Sequence, residues 1–199
     1  MVARLAVLIS GRGSNMAAIL ESCRSGVLEG TAEVAIVLSN IEGAAGIELA
    51  RTAGVETRVV VSKGRPREDF EVELTSVLVS RRIDVVVLAG FMRVLTPTFV
   101  SVFRGRIVNI HPADTRVYQG AHGYEWAFEN RLGSTWITVH EVDEGVDTGR
   151  VLGRAAVDLS GAATLEEVKR RGLAVEHRLY PEVLRTFLLG LSAVGVEES

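Results

Sequence analysis

A chain of 199 residues with 47% hydrophobic and 24% charged residues has the make-up of one folded domain with a sizeable core. Lysine and arginine total 22 against 25 acidic residues, a net charge of −3, which lacks the basic footprint of a nucleic-acid binder and leaves room for a small anionic ligand at a local site. The single cysteine, Cys23, excludes an internal disulfide and fits a reducing, cytoplasmic setting, and no repeated Cys/His spacing predicts a metal site.

In chain order, "MVARLAVLIS" is too short to span a bilayer and runs into a glycine loop instead of a cleavage site, so neither a signal peptide nor a membrane anchor is expected. Short apolar runs at 5–10, 33–39, 57–61, 83–90 and 106–111 predict strands, and amphipathic segments at 15–25, 43–53, 66–81 and 122–131 predict helices. Two further strand-like runs, 136–143 and 150–159, are joined by the glycine-containing "EGVDTG", and a long helix follows from about 164 to 189. The last residues, 195–199, are expected to fray. This alternation predicts an α/β fold: an open, twisted, mostly parallel Rossmann-like sheet with helices on both faces, and antiparallel strands toward the C-terminal part. With no internal repeat or linker composition, residues 1–199 are read as a single domain.

"LISGRGSNMAAIL" (8–20) places Gly11, Gly13, Ser14 and Asn15 between the first strand and the first helix, where free N–H groups and the helix dipole favour an anion. It is not a dinucleotide fingerprint, because Met16 takes the third glycine position and the second strand ends in Ser39-Asn40 rather than an acid. It also lacks the lysine of a P-loop. The plain alternative is a glycine turn in which Ser14 or Asn15 caps the helix.

In "RIVNIHPADTRVYQGAH" (106–122) Asn109 and His111 stand two apart, hence on one face, at the C-terminal end of a parallel strand. Ligands bind open α/β sheets there. A carboxamide and an imidazole side by side can stabilise an oxyanion, and a carboxylate can orient the imidazole and favour its charged form. Asp147 in the "DEGVDTG" turn is the preferred carboxylate, although Asp143 and Glu144 are equally acidic and spacing alone does not choose. Taken singly, each residue also has a structural reading: His111 packed on Pro112, Asn109 paired with backbone, Asp147 starting a turn.

Five motifs in order, "GxGSN", "LAGFMRVL" (88–95), "NIHP" (109–112), "TVHEVDEGVDTG" (138–149) and "EHRLYP" (176–181), resemble those of the folate-dependent formyltransferases, collinearly from about residue 5 to 190. The resemblance implies transfer of a formyl group from 10-formyltetrahydrofolate, as cosubstrate and with no metal, to the primary amine of glycinamide ribonucleotide in purine synthesis. It assigns Asn109, His111 and Asp147 to catalysis, with Asp147 keeping His111 charged. It assigns Gly13, Ser14, Asn15, Arg67 and Glu176 to the acceptor substrate, Arg67 being substrate- or folate-facing, and Arg93, Leu95, Val142 and Asp143 to the pterin pocket. It also implies a phosphate-binding half over about 1–100 and a folate and catalytic half over about 101–190; a homodimer is left open.

The chain departs from the family at Ala113-Asp114-Thr115-Arg116, where Ser-Leu-Leu-Pro is usual, at Trp136 for glycine, at Arg150 for proline, and at Leu173 for a polar substrate contact. A charged loop beside the acceptor would favour a different phosphorylated or sugar-linked amine, or, less readily, a non-catalytic folate- or nucleotide-binding protein.

Overall fold

The computed structural model describes residues 2–197, and among them one seven-stranded sheet runs through the molecule. Strands β1 (Ala3–Ile9), β2 (Ala32–Ser39), β3 (Thr57–Val59), β4 (Val85–Leu88) and β5 (Ile107–His111) are parallel. β6 (Ser134–Glu141) is antiparallel to β5, and β7 (Val151–Asp158) is antiparallel to β6. The order across the sheet is β3-β2-β1-β4-β5-β6-β7. Helices α1 (Ser14–Ser25), α2 (Ala45–Thr52), α3 (Arg67–Ser80), α4 (Pro97–Val102), α5 (Gly123–Glu129) and α6 (Leu165–Glu197) complete the chain.

The apolar run of β1 is continuous because both of its faces are covered. Leu5, Val7 and Ile9 point into one core with Met16 and Ile19 of α1, Ile47 of α2 and Leu184 of α6, while Ala6 and Leu8 point into a second core with Phe70 and Leu74 of α3 and Phe99 of α4. Each large side chain buried in this way stabilises the fold by about 1.5–3 kcal/mol. The two cores hold the helices on opposite faces of the sheet.

β2 and β4 flank β1 on opposite sides, so the connections leaving β1 and β4 diverge and open a crevice at their C-terminal ends. Tyr180, fully buried in α6, sets its hydroxyl 2.9 Å from the carbonyl oxygens of both Leu88 and Val108, which fixes α6 across β4 and β5 beside that crevice.

The structure departs from the sequence reading in local ways. α4 was not expected, yet it carries its own start signal: Pro97 in the first turn and the Thr96 hydroxyl accepting from Phe99 N at 3.3 Å. α6 begins behind Thr164, whose hydroxyl accepts from Glu167 N, and continues past 189 to Glu197, since propagation adds a bond for each residue fixed. Of the segment expected to fray, 195–197 is helical and 198 and 199 lie outside the described residues. β3 and β4 are shorter than their apolar runs because apolar content reports burial, not ladder bonds. Among the described residues no helix is long and apolar enough to cross a membrane.

Candidate active site

A cavity of about 560 Å³ fills the crevice, within the range of small-molecule sites. One end is the Gly11–Asn15 loop and the other is formed by Asn109, His111, His140 and Asp147.

The glycine loop is shaped by close backbone packing. Gly13 has φ +74°, and a Cβ there would lie 2.8 Å from Met16 Cε and 2.9 Å from Gly46 Cα, so only glycine fits. Gly46 N donates to Gly11 O at 3.0 Å and ties the loop to the start of α2. α1 begins at Ser14 with no side-chain cap, so the reading of Ser14 or Asn15 as a cap is not realised. The first-turn N–H groups have no acceptor within the helix. Asn15 reaches sideways instead, its Nδ2 donating to Glu176 Oε2, and the Tyr124 hydroxyl donates to Glu176 Oε1. Burial pushes the Glu176 carboxyl above its usual value, and these two hydrogen bonds only partly oppose the shift.

At the other end, antiparallel pairing sets Asn109 opposite His140. Asp147, on the hairpin between β6 and β7, adopts φ 53°, a left-handed conformation that Asp tolerates better than most residues. From there its Oδ1 lies 3.4 Å from Asn109 Nδ2 and from His140 Nε2, and its Oδ2 lies 3.4 Å from His111 Nδ1. Gly120 N donates to the same Oδ2 at 2.8 Å. Burial would raise the Asp147 carboxyl, but the hydrogen bonds from His140 and Gly120 outweigh it and leave the group below its ordinary value, an anion at neutral pH.

His111 is caught between opposing effects. Burial pushes it below 6.5, against the pull of Asp147 and of the Tyr118 carbonyl, which sits 3.0 Å from Nε2. Desolvation is the larger effect, and the carboxylate of Asp147 opposes it by favouring the charged ring. Both ring nitrogens nevertheless face acceptors, Asp147 Oδ2 and Tyr118 O, and only an imidazolium donates to both. Burial thus favours the neutral ring, while acceptors for two N–H groups stand in place around it.

Arg93, Leu95, Val142 and Asp143 line the cavity, as do Gly13, Ser14, Asn15 and Glu176. The Arg93 guanidinium packs over the Phe70 ring, 5.6 Å from its centre, and Asp143 closes the hairpin by accepting from Thr148 Oγ1 at 2.6 Å. Arg67 is not brought to the site. As the first residue of α3 it is exposed and stands outside the cavity lining.

Asp114 and Arg116 also lie outside the cavity lining. Asp114 accepts from Arg116 Nε at 3.0 Å and from Arg154 Nη1 at 3.2 Å, and the Arg116 hydrogen bonds hold its carboxyl down at about 2. Arg154 in turn lies 4.8 Å over the Trp136 ring, so two departures from the family meet in one cluster outside the pocket. Arg150 pairs with Glu141, and of the departures only Leu173 lines the cavity.

Sequence reasoning gave no role to His140, Gly120 or Tyr124. His140 stands in the quoted "TVHE" run, but only the pairing register places it opposite Asn109.

A family model described as formyl transferase matches residues 3–184. The chain is 38% identical over 187 residues to phosphoribosylglycinamide formyltransferase of Escherichia coli (strain K12), covering 94% of this chain and 87% of that protein. It is 40% identical over 188 residues to the trifunctional purine biosynthetic protein adenosine-3 of Drosophila pseudoobscura pseudoobscura, where the match covers 94% of this chain and spans only 14% of the longer relative. The crystal structure of glycinamide ribonucleotide transformylase 1 from Symbiobacterium toebii superposes with a TM-score of 0.89 at 39% identity, over 95% of this chain and 89% of that one.

Proposed function

The chain belongs to the formyl transferase family, and on that premise we propose that it transfers the formyl group of 10-formyltetrahydrofolate to the primary amine of glycinamide ribonucleotide in purine synthesis. The reading rests on the convergence of Asn109, His111 and Asp147, with both donors 3.4 Å from one carboxylate at the wall of one cavity.

The amine nitrogen attacks the formyl carbon and the carbonyl oxygen becomes an oxyanion. Asn109 Nδ2 is the donor available to it from the start, and His111 joins it once the ring has taken up a proton and exchanges the Tyr118 carbonyl for the oxyanion. The attacking nitrogen sheds a proton, for which the neutral His111 ring beside Asp147 is the acceptor. Collapse breaks the bond from the formyl carbon to the folate nitrogen, which takes up a proton as it leaves as tetrahydrofolate. Asp147 stabilises the imidazolium while it exists and returns to pairing with the neutral ring afterwards.

The fit of both substrates follows from the lining. The Gly13–Asn15 loop offers N–H groups for the acceptor phosphate, with Glu176 beside it. Leu95 and Val142 give the pterin an apolar slot edged by Arg93 and Asp143. In this reading residues 1–199 act as one domain in the cytoplasm, working on small molecules and on neither nucleic acid nor membrane. The ground for a different acceptor was the charged loop, and Asp114 and Arg116 are engaged elsewhere.

Purified protein given 10-formyltetrahydrofolate and glycinamide ribonucleotide should release tetrahydrofolate, read by absorbance, and His111→Ala should slow the release by roughly 10²-fold or more. Wild-type protein that ignores this acceptor but formylates another phosphorylated amine sinks the acceptor assignment. Protein that binds the folate without turnover with any amine sinks the transferase reading.

A further inference from the structure

Glu71 of α3 is a buried acid that the chemistry does not use: it is 4% exposed and lies outside the cavity lining. Both of its oxygens are taken by one uncharged residue, Oε1 accepting from Thr96 N at 2.9 Å and Oε2 from the Thr96 hydroxyl. A carboxylate this deep is costly to desolvate unless its bonds are needed.

The need is visible at the start of α4. Thr96 caps that helix by accepting from Phe99 N, and in a capping box a Glu or Gln at that third helical position would reach back to the N–H of the cap. Phe99 has no group to do so. Glu71 supplies the missing half of the box from another helix, and Thr96 is fixed from both sides.

Thr96 closes the segment Gly90 to Leu95, which lines the cavity and forms neither helix nor strand. Its backbone has few holds of its own. Ser10 N donates to Gly90 O at 3.1 Å and Met92 N donates to Ser10 Oγ at 2.8 Å, and among the described residues no backbone hydrogen bond involves 93–95. The other contacts come from α3 again: the Phe70 ring stacks with Phe91, centres 6.4 Å apart, and lies 5.6 Å from the Arg93 guanidinium. Two adjacent residues of a helix that does not line the cavity thus hold the segment at 91, 93 and 96.

We propose that Glu71 is a positioning residue for the formyl donor: by completing the cap at Thr96 it keeps Arg93, Val94 and Leu95 in the place from which they meet the folate. The proposal rests on the reading of Arg93 and Leu95 as the pterin end. Releasing Thr96 leaves the segment held only by Ser10 and Phe70, so the ligand must order it on binding and affinity falls accordingly. The acceptor end, built on the glycine loop, is spared.

The test compares Glu71→Leu, which removes both bonds and keeps a buried apolar side chain, with Glu71→Gln, whose carbonyl can accept from Thr96 N and whose amide can donate to the Thr96 oxygen. The readouts are calorimetric titration of the full-length protein with tetrahydrofolate under nitrogen, and steady-state kinetics in both substrates. Glu71→Leu should weaken tetrahydrofolate and raise the KM for the formyl donor by roughly 10-fold, with kcat and the KM for glycinamide ribonucleotide within about twofold. Glu71→Gln should restore the wild-type values. Should the leucine variant not fold, Thr96→Val, which loses the hydroxyl and keeps the bond at Thr96 N, should show the same split at a smaller size. Wild-type donor affinity in Glu71→Leu, or in Thr96→Val where that variant stands in, overturns the proposal. So does an equal rise in both KM values, the mark of a merely structural role, and so does a glutamine variant as defective as the leucine one. Wild-type protein that binds no tetrahydrofolate overturns the pterin reading and this inference with it, an outcome distinct from a variant that binds as the wild type does.

Discussion

At the glycine-loop end of the cavity the backbone builds the wall, with Gly13 held against Gly46 so closely that no Cβ fits. At the β5–β6 end side chains build it, and Asn109, His111 and His140 share one carboxylate across two strands and a hairpin. The first end depends on the absence of atoms and the second on the identity of a few. Damage at the loop should therefore appear in acceptor binding and stability, whereas damage at the carboxylate should appear in the chemical step.

The strongest way to break this contrast is His111→Ala. It should slow single-turnover formyl transfer by roughly 10²–10³-fold, the loss of about 2.7–4 kcal/mol expected for one oxyanion donor, with the acceptor KM unchanged. A large rise in that KM instead would dissolve the division of labour. Gly13→Ala comes next. A side chain at φ +74° with a contact of 2.9 Å to Gly46 Cα should destabilise the protein by about 1–3 kcal/mol in urea melts and raise the acceptor KM, while the formyl-donor KM holds.

The third prediction concerns pH. Burial lowers the folded-state value of His111 below 6.5, so between the two values the unfolded chain binds more protons. Stability from this residue is complete above 6.5 and is lost as pH falls toward the folded value. Relative to His111→Gln, the wild type should lose stability on acidification through this window, measured as paired urea melts from pH 7.5 to 5. Parallel curves would show that the ring is not desolvated as the structure has it. Least should come of Asp114→Ala. Its partners are exposed arginines outside the cavity, so kinetic constants should stay within twofold and the melting temperature should move by no more than about 4 °C.

How far the sequence discloses these features depends on their range. The strand alternation of Asn109 and His111 and the glycine loop between β1 and α1 are local patterns, and both were legible. The choice of Asp147 over Asp143 and Glu144 was left open by spacing. The structure separates them by the left-handed turn, which carries Asp147 to the histidines while Asp143 folds back onto Thr148. His140 and Tyr124 were not legible as site residues because each is placed by a partner distant in the chain, Asn109 across a strand pair and Gly172 on α6. The charged loop 113–116 misled for the same reason: its answering cation, Arg154, stands on β7.

The pairing of β5 with β6 sets Asn109 against His140 and His111 against Thr138. Sliding one strand past the other by a single position would turn the second histidine toward the opposite side of the sheet while barely altering helix and strand content. After denaturation, the return of enzymatic turnover is consequently a stricter criterion of native alignment than the return of circular dichroism. An interval between the two recoveries would time the final alignment of these strands.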